Sequence, residues 1–279
     1  MDITVNPPAV GSPGIVRVPE WAVAYPWLRH GFSLREGGVS TVYGKPDDLN
    51  LGFTKDDDLE RVKQNRRLFT DAIAGESGWK MIAVHQVHGT LSKTIRQNEQ
   101  DLVDEDGRGL FQADGLMTAA PRTLLGIQVA DCVPVLVADT RQRVVAAFHA
   151  GWRGSAAGIV ERGVARMHTE YASNQPDLVA AIGPSIGVCC YSVGEEVRAS
   201  FAAAFPYGDS LFARRGDHLY LDLAEANRRQ LLSAAIPAGS ITVLGECTGC
   251  ASAGGQRKYF SHRMEQGFTG RAMGAIGVA

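Results

Sequence analysis

Three short stretches put metal-binding or nucleophilic side chains at the ends of apolar runs: HQVHG at 85–89, ADC at 130–132 and FHAGWRG at 148–154. Two imidazoles and one thiolate make a zinc set of three protein ligands, with a fourth position left for water. His85 and His88 are three apart, a spacing that puts them on opposite faces of a strand, and only one need be a ligand. His88 precedes Gly89, where the chain bends, so it is assigned to the metal and His85 to the surface or a supporting position. The expected set is therefore His88, Cys132 and His149. A competing chemistry uses the same atoms, with Cys132 as nucleophile, His149 as its base and Asp131 or Asp139 as orienter, and needs thiol and ring about 3 Å apart. The plainest alternative is structural, since a cysteine in an apolar run usually serves as a small buried hydrophobe.

Other groups suit anions or planar bases. Arg35 and Arg153 lie beside glycines, and a guanidinium offers phosphate or carboxylate a fork of donors. GPSIG at 183–187 could turn backbone N–H groups toward an anion, although it lacks the Lys and Ser/Thr of a Walker A loop. Phe32, Trp152, Tyr191 and Phe260 are candidates for an aromatic wall, with core packing the commoner fate of such side chains. His262 and Arg263 either reach the site or face water. Cys247 and Cys250 have metal or redox spacing in CTGC, but no second CxxC accompanies them; they are expected to be unliganded thiols.

These groups need elements to hold them. A strand is expected over 81–84, ending at the first histidines, and another over 124–129, ending at Asp131 and Cys132. Residues 133–138 continue it or, because Pro134 disfavours a regular central strand, bend or run at an edge. A strand over 144–148 delivers His149, Gly151 and Gly154 turn the chain, and a helix follows from Ser155. Leu59, Val62, Phe69 and Ile73 have helical spacing behind three aspartates. Ser192 with Glu195, and Asp222 with Glu225, read as helix starts. Strands and helices alternate without a regular βαβ period. The reading is a mixed α/β (α+β) fold with mixed β-sheets flanked by helices: a flexible N-terminal segment over 1–20 and a single catalytic domain over 21–279.

Composition sets the outer bounds. The chain has 279 residues, 45% of them hydrophobic, which suits a soluble globular protein. A net charge of -2 without a basic stripe gives no electrostatic case for nucleic acid. The opening residues lack the pattern of a signal peptide, and no apolar run reaches membrane-spanning length. A cytoplasmic protein without a membrane partner is expected. Five cysteines, an odd number in a chain this large, argue against a secreted disulfide scaffold.

In order along the chain stand HGFSLREGGVS, NLG, HQVHG, ADGL, ADCVPVLVAD, FHAGWRG, GPSIG with Cys190 and Tyr191, CT at Cys247, and FSHR followed by Gly270 and Arg271. This ordered set resembles the bacterial multicopper polyphenol oxidase, or laccase-domain, family, better described as zinc-containing purine nucleoside phosphorylases. The resemblance implies a laccase-domain-like fold and a metal on His88, Cys132 and His149, zinc ahead of copper, within a purine nucleoside site. It puts Arg35 in the anion or substrate pocket, and Gln86, Asp131, Arg153 and Arg263 in or beside its motifs. Family members are described as cleaving adenosine, inosine, guanosine and methylthioadenosine with phosphate, and as deaminating adenosine. Older descriptions call related proteins copper-dependent phenol oxidases, and one branch is linked to editing of peptidoglycan precursors. His262 stands where the family often has an aromatic residue, and Cys250 lies outside its metal set.

The implied chemistry divides in two. Deamination follows from zinc activating water for attack at purine C6, with Asp131 orienting a ligand or shuttling a proton. Phosphorolysis needs phosphate at ribose C1′, held by Arg35 and Arg153. The partners are then purine nucleosides and phosphate. Seven scattered histidines suit a multicopper centre poorly. A cysteine hydrolase, in which zinc is dispensable, and a non-enzymatic protein with a structural zinc remain as alternatives, the latter marked by closed four-residue coordination.

Overall fold

The computed structural model describes residues 12–279 apart from 98, 100 and 101. Two β-sheets carry the site between them. The first has five strands in the spatial order Ile15–Val16, Leu28–Ser33, Ala272–Val278, Thr123–Val129 and Lys80–Ile82, of which the last pair is parallel. The second has six, in the order Ile241–Val243, Leu178–Ile182, Val133–Asp139, Val144–Ala150, Gly115–Thr118 and Ser92–Ile95. Its inner pairs are antiparallel and the pair at each end is parallel.

Val133–Asp139 and Val144–Ala150 are buried at every position, which is why they read as continuous apolar runs rather than alternations. The period of two still decides what each side chain meets. Leu136 and Ala138 pack between the sheets with Phe32, Leu125 and Ile276. Val135 and Val137 face the other way, against Val160, Met167, Phe201 and Leu231 of the helices Ile159–Tyr171, Glu195–Ala204 and Leu223–Ser233. The helix Leu59–Ala74 covers the outer face of the first sheet, packing Phe69 and Ile73 on Leu124, Met273 and Ala275. The result is a single mixed α/β domain layered helix, sheet, sheet, helices. No helix among the described residues is long and apolar enough to cross a membrane.

Four expectations are corrected. Pro134 lies in a central strand, not at an edge or bend. Its carbonyl accepts the Gly183 N–H at 2.9 Å, and the N–H that proline lacks would point to the same side, just past the end of Leu178–Ile182 where that ladder has stopped. Residues 133–138 do not continue the strand before them; they join the other sheet, because the chain turns at Asp131 with φ 88. Ser192 is not a helix cap: its backbone pairs with Tyr220, and the helix begins at Glu195 behind Gly194. Asp222 does cap, accepting from the Glu225 N–H at 2.9 Å. Within 1–20, residues 1–11 lie outside the described residues, whereas Ile15–Val16 pairs with Leu28–Ser33 and a helix starts at Pro19, so the ordered fold begins before Trp21.

His30 ties this N-terminal strand down. Its Nε2 accepts the Val18 N–H at 3.0 Å, and its ring packs 4.8 Å from Trp21. Burial, with the Arg17 charge nearby, depresses the imidazole to about 4. A depressed folded-state value means the neutral ring stabilises the fold above its unfolded value of about 6.5, and that this is lost as pH falls toward 4. Denaturant titrations should therefore show wild type losing up to roughly 3 kcal/mol between pH 7 and pH 4 through this residue, and His30→Gln losing less over the same interval. Equal pH dependence in the two proteins would show that His30 is not the responsible group.

Candidate metal centre and its cleft

The site forms where the chain crosses between the sheets. Thr123–Val129 leaves the first sheet, Asp131 takes a left-handed conformation, and Cys132 leads into Val133–Asp139 of the second. His149 is the penultimate residue of Val144–Ala150 and stands opposite Pro134. The third member, His88, comes from the loop beyond Lys80–Ile82 with φ 61. One potential ligand atom from each of His88, Cys132 and His149 lies within 4.8 Å of the others, and the two rings meet edge to face at 4.8 Å.

Asp114, which precedes the strand Gly115–Thr118, organises this cluster. Its fully buried carboxylate accepts the N–H groups of Val87, His88 and Gly89 at 3.2, 2.8 and 2.6 Å, and meets His149 Nδ1 at 2.8 Å. Burial alone would raise its pKa, but His149 and these amides outweigh it and hold Asp114 below the usual carboxylate range. With Nδ1 committed to Asp114, His149 keeps Nε2 for Cys132 or for a metal, the arrangement in which a carboxylate fixes the tautomer of a ligating histidine. Burial likewise raises the Cys132 thiol, yet His149 and His88 overcome this and bring it down to about 6. Burial lowers His149, and the Cys132 thiolate and Asp114 return it to about 9. Both shifts run in the direction that favours a thiolate beside an imidazolium.

The donor set fits a metal. A Cβ at Gly151 would stand 2.9 Å from His88 Cδ2 and 3.1 Å from Cys132 Sγ, so a glycine is needed there for the imidazole and thiol to approach each other. By chemistry and by spacing the cluster could hold a metal ion, and its donors suit either zinc or copper.

The cluster opens onto a cleft of ≈ 590 Å³. Of the residues expected there, Gln86, Asp131, Arg153 and Arg263 line it with the three cluster residues. Arg153 is exposed, its guanidinium 4.4 Å from the Trp152 ring. Arg263 lies 5.2 Å over Tyr191 and donates to the Ser192 carbonyl at 2.7 Å. Gln86 pairs its amide with both backbone groups of Gln128. Asp131 faces the cleft with its carboxylate occupied: Thr248 Oγ1, Ser261 Oγ and the Arg263 N–H all donate to it at 2.7 Å. Of the aromatic candidates, Trp152 and Tyr191 reach the cleft, whereas Phe32 and Phe260 are core residues. The GPSIG amides are committed internally, Ser185 to Glu246, Ile186 to Asp131 and Gly187 to the Cys247 sulfur.

Arg35 is the residue that the fold keeps apart. It is buried outside the cleft, paired with Asp48 at 2.7 Å and Glu265 at 2.6 Å, and it also donates to the Tyr43 carbonyl. Its donors are spent on two carboxylates, so the anion role expected of it is withdrawn. Arg108 and Arg271, together with Phe53, occupy cleft positions instead. Asp114 was also missed as a functional residue, and its one sequence signal is the ADGL motif itself.

The chain belongs to the family described as multi-copper polyphenol oxidoreductase laccase, which matches residues 29–279. The purine nucleoside phosphorylase YlmD of Geobacillus stearothermophilus is 34% identical over 262 residues, 90% of this chain and 94% of that protein. A purine nucleoside phosphorylase of Deinococcus radiodurans is 35% identical over 269 residues, 96% of this chain and 94% of its own. The crystal structure of the Geobacillus YlmD superposes with a TM-score of 0.85 at 32% identity, covering 100% of this chain and 99% of that one. That of a hypothetical protein YfiH from Bacillus licheniformis gives 0.83 at 31%, covering 98% and 100%.

Arg35→Ala should act on stability. It strands the fully buried Asp48 carboxylate, and removing one partner of a buried ion pair costs about 3–5 kcal/mol. Chemical denaturation would read this directly. A stable Arg35→Ala protein with a weakened phosphate response would return Arg35 to the binding site.

Proposed function

We propose that this chain is a zinc-dependent purine nucleoside phosphorylase acting on adenosine, inosine, guanosine and methylthioadenosine, and that the same site deaminates adenosine. One observation carries the reading: His88, Cys132 and His149 open onto a cleft that also holds aromatic faces and guanidinium groups. These are the elements needed to bring a purine and an anion together beside a metal. The relatives named purine nucleoside phosphorylase, which align over most of the chain, support it.

Zinc held by the three side chains would supply Lewis-acid polarisation of a substrate heteroatom. The chain's own groups do the rest. Trp152 and Tyr191 pack the base, while Arg153 and Arg263 hold phosphate against the ribose, so that positioning and fixed charge lower the barrier. Burial pushes the Tyr191 phenol up to about 12, so it keeps its proton at neutral pH and can donate to a base heteroatom. Asp131 acts as a positioning residue rather than a proton shuttle, because three donors already occupy its carboxylate and one of them is the backbone of Arg263. Gln86 fixes the cleft wall through Gln128.

Two observations favour other readings. The family description, together with a two-histidine, one-cysteine donor set that copper also accepts, supports copper-dependent phenol oxidation. The low Cys132 and high His149 values support a thiolate nucleophile with zinc dispensable.

Metal-quantified protein incubated with adenosine, with and without phosphate, separates these readings when products are resolved by chromatography. Adenine and ribose 1-phosphate appearing only with phosphate is the expected outcome, with inosine formed in its absence. Cys132→Ala should lose the zinc of this site and more than about 100-fold in kcat/KM, beyond what loss of a supporting partner causes. Arg153→Ala should raise the KM for phosphate about 10- to 100-fold, as expected for one charge-assisted contact. Full turnover by protein stripped of metal would leave the thiolate reading, and phenol oxidation by the copper-loaded form alone would leave the oxidase.

A further inference from the structure

Outside the cleft, the fold assembles a second group of soft ligands. Cys189 and Cys190 follow the GPSIG turn, Cys247 and Cys250 form CTGC, and the four sulfur atoms lie within 4.8 Å of one another. The sequence alone gave CTGC no second pair, because its partner is a vicinal Cys-Cys about sixty residues earlier. The backbone makes the pairing: Ser185 and Cys247 form a parallel bridge, and the Thr248 N–H donates to the Ser185 carbonyl at 3.0 Å.

We propose that Cys189, Cys190, Cys247 and Cys250 hold one structural zinc ion as a tetrathiolate. The spacing suits it. Zn–S bonds of about 2.3 Å in a tetrahedron put neighbouring sulfurs about 3.8 Å apart, and Cys189 and Cys250 stand at 3.6 Å. All four sulfurs cluster together, whereas a disulfide would join two and leave two. The Gly187 N–H donates to Cys247 Sγ at 3.1 Å, and such an N–H donor stabilises a thiolate. Two glycines let the loops close on each other. A Cβ at Gly249 would stand 2.9 Å from Cys190 Cβ, and one at Gly187 would stand 3.2 Å from Cys247 Cβ and 3.3 Å from Cys189 Sγ. Four thiolates this close repel one another unless a cation compensates them.

The position gives this ion a role. Tyr191, a wall of the cleft, follows Cys190, and Thr248, inside CTGC, donates to Asp131. The tetrathiolate clamps two loops that separately reach the cleft, and four protein ligands close it to substrate. The inference rests on these four cysteines alone and stands whether or not the cleft performs phosphorolysis.

The test uses full-length protein in the Cys132→Ala background, which removes the cleft site from the metal count. Elemental analysis and native mass spectrometry after dialysis against a mild chelator should find one zinc per chain. Cys189→Ser/Cys250→Ser in the same background should lose that zinc and lower the melting temperature by at least about 4 °C. Should the variant not fold, cobalt(II) substitution of the unaltered four-cysteine protein supplies an independent readout, with tetrahedral thiolate charge-transfer and visible bands expected. A protein without zinc after dialysis, a disulfide among the four cysteines in freshly purified protein, or cobalt spectra lacking thiolate bands would overturn the proposal.

Discussion

The Asp114 carboxylate is the constraint around which the site is built. It lies in the interior, where an ionised carboxylate is costly unless several donors surround it. Three come from consecutive amides of the HQVHG loop and the fourth from His149. One charge therefore couples a loop that follows the first sheet to a strand of the second. Because Gly115 pairs with Phe148, Asp114 stands beside the end of the strand that carries His149, and the backbone N–H of His149 also donates to the Asp114 carbonyl at 2.7 Å. Ring orientation and loop position are set together.

A second carboxylate does comparable work on the opposite wall. Asp131 sits at the crossing between sheets and gathers Thr248, Ser261 and Arg263, residues from two later loops. Arg35 reinforces that wall from behind through Glu265, whose other oxygen accepts from the Ser261 N–H and Thr269. These charges tie loops together beside the cleft, and neither residue type nor proximity to glycine shows that Arg35 spends its donors on two carboxylates. Their donors and acceptors are already consumed by partners about 130 and 230 residues away.

What could be read from the chain follows the range of the interactions. His88, Cys132 and His149, which the structure brings together, stand out because histidines and a cysteine beside apolar runs and glycines are a local signal; strands over 133–138 and 144–148 could be read because burial on both faces leaves a continuous apolar run, though the sheet that 133–138 joins could not. Asp222 was legible as a cap because its partner is three residues away. Asp114 was not, since its partners are mostly backbone amides, which carry no residue identity. The Ser192 capping box failed because a tertiary strand pairing with Tyr220 claimed the same backbone. CTGC looked isolated because its partner is a vicinal pair brought near by a parallel bridge, which no spacing rule within the motif reveals.

The same three side chains admit both a metal site and a thiolate–imidazolium dyad, and His88 distinguishes them. A dyad needs only Cys132, His149 and the Asp114 that orients it. His88 is a further imidazole beside the Cys132 sulfur, and its backbone is held at φ 61 by the amide contacts to Asp114, a conformation less common for residues other than glycine. Gly151 leaves the space that His88 and Cys132 share. Two local features, the His88 backbone and the space at Gly151, thus bring a third donor to the pair. Protons and a metal compete for the same sulfur and nitrogen atoms, and a third nitrogen donor shifts that competition toward the metal. His88 is exposed on the cleft side, so a metal held by the three side chains would be reachable from the cleft.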